Sequence, residues 1–144
     1  MIVRVTKPEA FLLPPVRRLF QAALIRGAKN AERSINKLAA LAGRPDVGIF
    51  IGLERGEPQC GLSIMLPPDP ETDRPLLDIG ANLGGSPALK RELLGVALAF
   101  MREAGYNQAW FFNFSGHSDK AYLRAARAAG MAARVRTSML EVDF

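Results

Sequence analysis

The stretch Ala81–Phe114, ANLGGSPALKRELLGVALAFMREAGYNQAWFFNF, decides how the chain is to be read, because it holds a helix whose two ends are both written in it. Ser86 is a good N-cap. Pro87 suits the first helical position, where a missing N–H costs nothing, and Gly105 stands just past the end, where a left-handed residue is wanted. Between them Leu89, Leu93, Val96, Ala97, Phe100 and Met101 recur at three- and four-residue spacing, while Lys90, Arg91, Glu92, Arg102 and Glu103 mark wet ends. Beyond Gly105, Gln108–Phe114 reads as a strand with Trp110, Phe112 and Phe114 on one face and Phe111 on the other, so both of its sides should be covered. A helix placed between two strands in this way is a crossover unit.

Outward from that unit, Ile2–Val5 reads as a first strand, ended by Lys7-Pro8. Phe11–Arg26 then carries Val16, Leu19, Phe20, Ala23 and Leu24 on one helical face, with Pro14 and Pro15 in its first turn. Ala28–Leu41 is a second helix, with Ile35, Leu38, Ala39 and Ala42 on the buried side and Gly43-Arg44-Pro45 as its stop. Two strands, Gly48–Leu53 and Gln59–Leu66, joined by Glu54-Arg55-Gly56-Glu57-Pro58, form an antiparallel hairpin. Pro67–Pro75, PPDPETDRP, is a surface loop, since proline removes donors and restricts its neighbours. Leu76–Ala81 is the strand that enters the crossover unit. After it, Asp119 can cap a last helix, Lys120–Ala129, closed by Gly130, and Ala132–Phe144 alternates as one long terminal strand.

The totals fit one domain. A chain of 144 residues, 49% apolar and 23% charged, can bury roughly 70% of the surface of its unfolded state, which excludes disorder for the whole. One cysteine, Cys60, makes no internal disulfide, and with one histidine no cysteine/histidine zinc cage can be assembled, so no metal is expected. No apolar run reaches the roughly 18 residues of a membrane helix, and the first residues lack a signal-peptide layout. These features predict a reducing, cytoplasmic setting and no membrane partner. A net charge of +5 is compatible with a polyanionic partner, a phosphorylated cofactor or plain solubility.

The resulting order, β-α-α-β-β-β-α-β-α-β, resembles the GNAT N-acetyltransferase superfamily along the whole chain. Its most specific part is local: Leu93-Leu94, then Gly105-Tyr106, then a strand, then a short helix ended by Gly130-Met131, where the family usually has glycine-phenylalanine. The resemblance implies a mixed, mostly antiparallel α/β (α+β) sheet flanked by helices in a single domain. It also implies acetyl-CoA or coenzyme A as cofactor and a small-molecule or protein amine as acceptor.

The family turn before the central helix has the form Arg/Gln-x-x-Gly-x-Gly/Ala, whose small residues let backbone N–H groups close on a pyrophosphate at a helix N-terminus. Counted back from Leu93, its arginine falls on Gly85, its first glycine on Ala88 and its second small residue on Lys90. Alternatively, Gly84-Gly85-Ser86 supplies the turn in shifted register, with Lys90 or Arg91 as a charge contact. Ile79 to Ala81 is then the strand segment that pairs with the pantetheine arm. The family's general-acid tyrosine, four residues before the closing glycine, is replaced by Ala126, and Tyr122 lies one turn earlier. Asp78 and His117 are candidate bases for the amine. Ser115, His117 and Asp119 are too close in sequence to be read as a triad. Cys60, inside a strand, reads as a packing thiol.

Two further readings stand beside acyl transfer. In one, the fold has lost catalysis and serves as an interaction or structural protein, as degenerate GNAT-like proteins among bacteriophage virion and accessory proteins do. A second copy or another protein would then pair with the exposed edge of the C-terminal strand. In the other, Arg26, Lys29, Arg33 and Lys37, extended by Arg124, Arg127, Arg134 and Arg136, form a stripe for nucleic acid. The bland reading of the first four is a solvated helix face.

Overall fold

The structure, a computed structural model, describes residues 1–21, 27–78, 84–112, 124, 126–128, 130–136 and 139–143. Strand β1 (Ile2–Arg4) leads into a 3₁₀ turn (Pro8–Leu12) and helices α1 (Pro14–Gln21) and α2 (Gly27–Leu41). Strands β2 (Val47–Glu54), β3 (Glu57–Met65) and β4 (Leu76–Asp78) follow, then helix α3 (Pro87–Glu103), β5 (Gln108–Phe112), β6 (Ala132–Arg136) and β7 (Met139–Asp143). They make one seven-stranded sheet in the order β1-β2-β3-β4-β5-β7-β6. Every neighbouring pair is antiparallel except β4 and β5, whose register pairs Leu76, Leu77 and Asp78 with Trp110, Phe111 and Phe112. Mixed, mostly antiparallel and flanked by helices, the sheet is of the expected class.

Alternation along β2 assigns a layer to each face. Val47, Ile49 and Ile51 are buried with Phe11, Val16, Leu19, Phe20 and Ile35 from the 3₁₀ turn, α1 and α2. Phe50 of β2, with Cys60, Leu62 and Ile64 of β3 and Leu77 of β4, is buried under α3. The α3 face is wider than the spacing predicts. Leu94 and Leu98 are buried along with Leu89, Leu93, Ala97 and Met101, whereas Val96 and Phe100 are only partly covered. Burying each such leucine is worth about 1.5–3 kcal/mol, so the helix is held by packing more than by its caps. Its close seat depends on Gly52: a Cβ there would lie 2.6 Å from Cys60 Sγ and 3.1 Å from Leu89 Cγ.

Both caps of α3 form as read. The Leu89 N–H donates to Ser86 Oγ at 3.1 Å. At the other end Tyr106 N–H reaches Met101 O at 3.1 Å and Gly105 N–H reaches Arg102 O at 2.9 Å, with Gly105 at φ +91°. This double bond pattern is the Schellman motif, and it repeats from Met131 and Gly130 to Ala126 and Arg127, so the last helix also ends where the sequence places its stop. Tyr106, buried beside Met101, donates its hydroxyl to Pro67 O and so pins the proline-rich loop. Burial, then the charges of Asp73 and Asp69, push its pKa up.

Three expectations are corrected. Phe11–Arg26 does not form one helix from Phe11: the residue before a proline avoids the helical region, and Leu13, preceding Pro14, is extended at φ −71° and ψ 121°. Residues 22–26 lie outside the described ones. The link between β2 and β3 is shorter than Glu54–Pro58, because Glu54 pairs with Glu57 and only Arg55 and Gly56 turn, both at positive φ. Finally, Ala132–Phe144 is a hairpin, not one strand: β6 and β7 pair from Ala132 with Asp143 to Arg136 with Met139. It is β7 that pairs with β5, leaving β6 at the sheet edge.

Two glycines of opposite surroundings test this packing. Gly52→Ala must push against buried Cys60 and Leu89, and we expect a loss of about 1–3 kcal/mol in urea unfolding. Gly95, exposed in mid-α3 with no atom within 4 Å of an added Cβ, should instead gain roughly 0.5–1 kcal/mol as alanine.

Candidate active site at the start of helix α3

The turn before α3 lies against the far end of the β2–β3 hairpin. In that hairpin Gly52 pairs with Cys60 and Leu53 with Pro58, so Gln59 is an extra residue, a β-bulge. Its carbonyl meets the glycine turn, since a Cβ on Gly84 would lie 2.7 Å from Gln59 O. Gly85, at φ +84°, is equally close: its Cβ would lie 2.8 Å from Leu89 Cδ2 and 3.5 Å from Glu54 Oε1. The small residues at 84 and 85 are thus required by the protein's own atoms.

Glu54 supplies the contact that sequence reading did not find. Ser86 N–H donates to Glu54 Oε1 at 2.8 Å, across 32 residues of chain. The carboxylate's pKa is held below its ordinary value, first by its hydrogen bonds with Ser86, with smaller help from the Met1 amine and Arg55. A helix N-terminus offers partial positive charge and unpaired amides, and here an anionic oxygen has been accepted from within the chain. Two other donors of this first turn are also spent or missing: Leu89 N–H is used by Ser86 Oγ, and Pro87 has none.

The other expected residues divide clearly. Gly84, Gly85 and Ser86 are brought together here. Lys90, half-buried, acts electrostatically on Cys60, while Ala88 and Arg91 are exposed on the helix surface. Asp78 ends β4 opposite Phe112, at the parallel junction with β5. Ile79, Ala81, His117, Asp119 and Tyr122 lie outside the described residues. Ala126, standing where the family has its acid, is fully buried with the α3 core. Burial pushes the Cys60 thiol up to about 11, as befits a packing thiol. Arg33, Lys37, Arg124 and Arg127 are exposed, and Glu32, adjoining Arg33, is held by Arg17 and Gln21. Arg26 and the side chains of Lys29, Arg134 and Arg136 lie outside the described ones.

Beside the turn opens a groove of about 290 Å³, lined by Pro15, Arg18 and Leu19 of α1, Glu57, Pro58 and Gln59 of β3, and Gly84. Arg18 is exposed on its rim. Among the described residues no three His, Cys, Asp or Glu side chains are grouped to hold a metal, and no helix is long and apolar enough to cross a membrane.

The sequence matches no family model and no curated protein. Solved structures do match in shape. An acetyltransferase from Streptococcus agalactiae superposes at a TM-score of 0.65 with 10% identity, covering 100% of this chain and 97% of that one. The PaiA N-acetyltransferase of Thermoplasma acidophilum, in complex with coenzyme A, superposes at 0.60 with 10% identity over 100% and 99%. RimL, a ribosomal L7/L12 α-N-protein acetyltransferase in complex with coenzyme A, gives 0.64 and 10% over 99% and 92%. The chain therefore has the GNAT fold along its full length.

Two measurements check the capping of α3. Ser86→Ala should cost about 1 kcal/mol through the lost N-cap. Because Glu54 has a depressed pKa in the folded state, its contribution is present above the unfolded carboxylate pKa and is lost as pH falls through the folded one. Asp46 and Asp69 are shifted the same way, so the wild-type slope contains all three. The difference between wild type and Glu54→Gln in urea unfolding, followed from neutral pH to below the carboxylate range, isolates Glu54 and should shrink toward the acid end.

Proposed function

We propose that the protein is an acyl-CoA-dependent N-acyltransferase that moves an acetyl group to an amine. The observation that carries this reading is the Ser86 amide at the N-terminus of α3, which already holds an anionic oxygen in a fold whose relatives are crystallised with coenzyme A. The Glu54 carboxylate oxygen stands in there for a phosphate oxygen. Chemically the seat suits the anionic end of such a cofactor, with one amide fewer than usual because of Pro87.

When bound, acyl-CoA supplies the acetyl group activated as a thioester. The chain's own part is to hold and to orient. Gly84, Gly85 and Ser86 take the anionic end, with Lys90 and Arg91 adding positive charge on the same helix. Ile79 to Ala81, which follow Asp78 in the sequence, are the residues assigned to the extended arm of the cofactor. Asp78, with His117 as the second candidate, accepts the proton of the attacking amine. Tyr122 is the candidate hydroxyl for protonating the departing sulfur. The acceptor enters by the groove between α1 and β3, where Arg18 and Glu57 offer both signs of charge. One relative in shape is an aminoglycoside acetyltransferase from an uncultured soil metagenomic sample, in complex with sisomicin, and polyamines of that kind are a rational first panel of acceptors.

A second reading has its own support. Ala126 is aliphatic and buried where the family keeps its acid, and the α3 amide is engaged internally. A GNAT-fold protein without turnover, acting by binding another protein, accommodates both facts.

Acetyl-CoA separates the two. At about 100 times its dissociation constant a ligand stabilises the folded state by about 2.7 kcal/mol, a rise of several degrees in Tm. The acyltransferase reading expects that rise, a smaller one for Lys90→Ala, and release of free thiol with an amine panel. No shift and no thiol at millimolar acetyl-CoA would leave the binding-protein reading.

A further inference from the structure

We propose that Glu54 is an internal competitor for the cofactor: its carboxylate occupies the Ser86 amide and has to leave before a phosphate group can take that amide. The inference rests on the acyl-CoA reading and adds a residue that sets how tightly this chain binds its cofactor. Three features of the structure carry it. The contact is made by the cap residue itself, at 2.8 Å, and the same Oε1 lies 3.5 Å from where a Gly85 side chain would begin. Glu54 thus covers the outer side of the glycine turn as well as its amide.

The surroundings of Glu54 leave its side chain room to turn outward. Glu54 is the last residue of β2, half-buried, with only Arg55 and Gly56 between it and β3. Both turn residues are exposed, and no atom lies within 4 Å of a Cβ added to Gly56. On the opposite side of the glycine turn it is backbone, the bulged Gln59 carbonyl, that backs Gly84, so the Glu54 side chain is the group an incoming anion would displace.

The charges around Glu54 come from each element that meets it. The Met1 amine of the chain's first residue and Arg55 of the turn favour its ionised form, and from β3 the Cys60 thiol feels its negative charge. Lys90 of α3 acts on that same thiol. Two anions cannot share one amide, so carboxylate and phosphate exclude one another there. Losing the Glu54 charge therefore favours the cofactor.

Glu54→Gln keeps an oxygen acceptor for Ser86 while removing the charge. In calorimetric titrations with coenzyme A at fixed pH and salt, the variant should bind roughly five-fold tighter, the size of a unit-charge repulsion at about 4 Å in high-dielectric surroundings. In parallel, the Ser86 amide resonance should move with pH through the carboxylate range in the free wild-type protein. That movement should vanish in Glu54→Gln and in wild type saturated with coenzyme A. Equal affinities for the two proteins overturn the inference alone. So does a Ser86 amide that still follows the carboxylate when coenzyme A is bound. A variant that melts lower but binds no tighter makes Glu54 a cap and nothing more, which also overturns it. Heat from neither protein at millimolar coenzyme A overturns the acyl-CoA reading and this inference together.

Discussion

The packing of α3 onto the strands β2, β3 and β4 is the constraint from which the remaining geometry follows. Leu89, Leu93, Ala97 and Met101 reach Cys60, Leu62, Ile64 and Leu77 because β2 presents Gly52 to the first turn of the helix. That contact decides how near Ser86 comes to the β2–β3 hairpin. At the far end, the Schellman closure at Gly105 and Tyr106 turns the chain back into β5, beside β4, and creates the sheet's parallel junction. One helix thus positions both the amide that meets Glu54 and the strand pair that ends in Asp78.

The start of α3 is where folding and ligand chemistry compete for the same atoms. An N-terminal amide left bare is unfavourable in the absence of ligand, and a carboxylate from a neighbouring strand relieves it. Fully satisfied, the same amide has nothing to offer a phosphate. The Ser86 hydroxyl, spent on Leu89, deepens this balance toward the ligand-free state. A residue 32 positions earlier in the chain thus takes part in this helix start alongside Ser86 and Pro87.

What could be read in the sequence follows the range of the interactions. Ser86-Pro87 and Gly105 act within a few residues, and they mark α3 correctly. Val16, Leu19 and Phe20 recur at helical spacing and are buried, yet the break before Pro14 leaves no mark in the hydrophobic periodicity, which runs through it unchanged. At the C-terminal end, the sequence from Ala132 to Phe144 contains no glycine, proline or asparagine to announce a turn, so its alternation looks unbroken. In the site, Gly84, Gly85 and Ser86 carry a local signature. Glu54 carries none: its role depends on a bulge at Gln59 and on register across the hairpin, neither of which has a sequence spacing of its own.

Trp110 stands in β5 opposite Leu76 of β4, with the Arg74 guanidinium 5.0 Å from its ring centroid. It is the only tryptophan in the chain. The indole therefore serves as a native optical reporter at the one parallel seam of the sheet, next to the strand that ends in Asp78. Its emission, sensitive to the cation above the ring and to water at its edge, reads the state of that seam without any label being introduced.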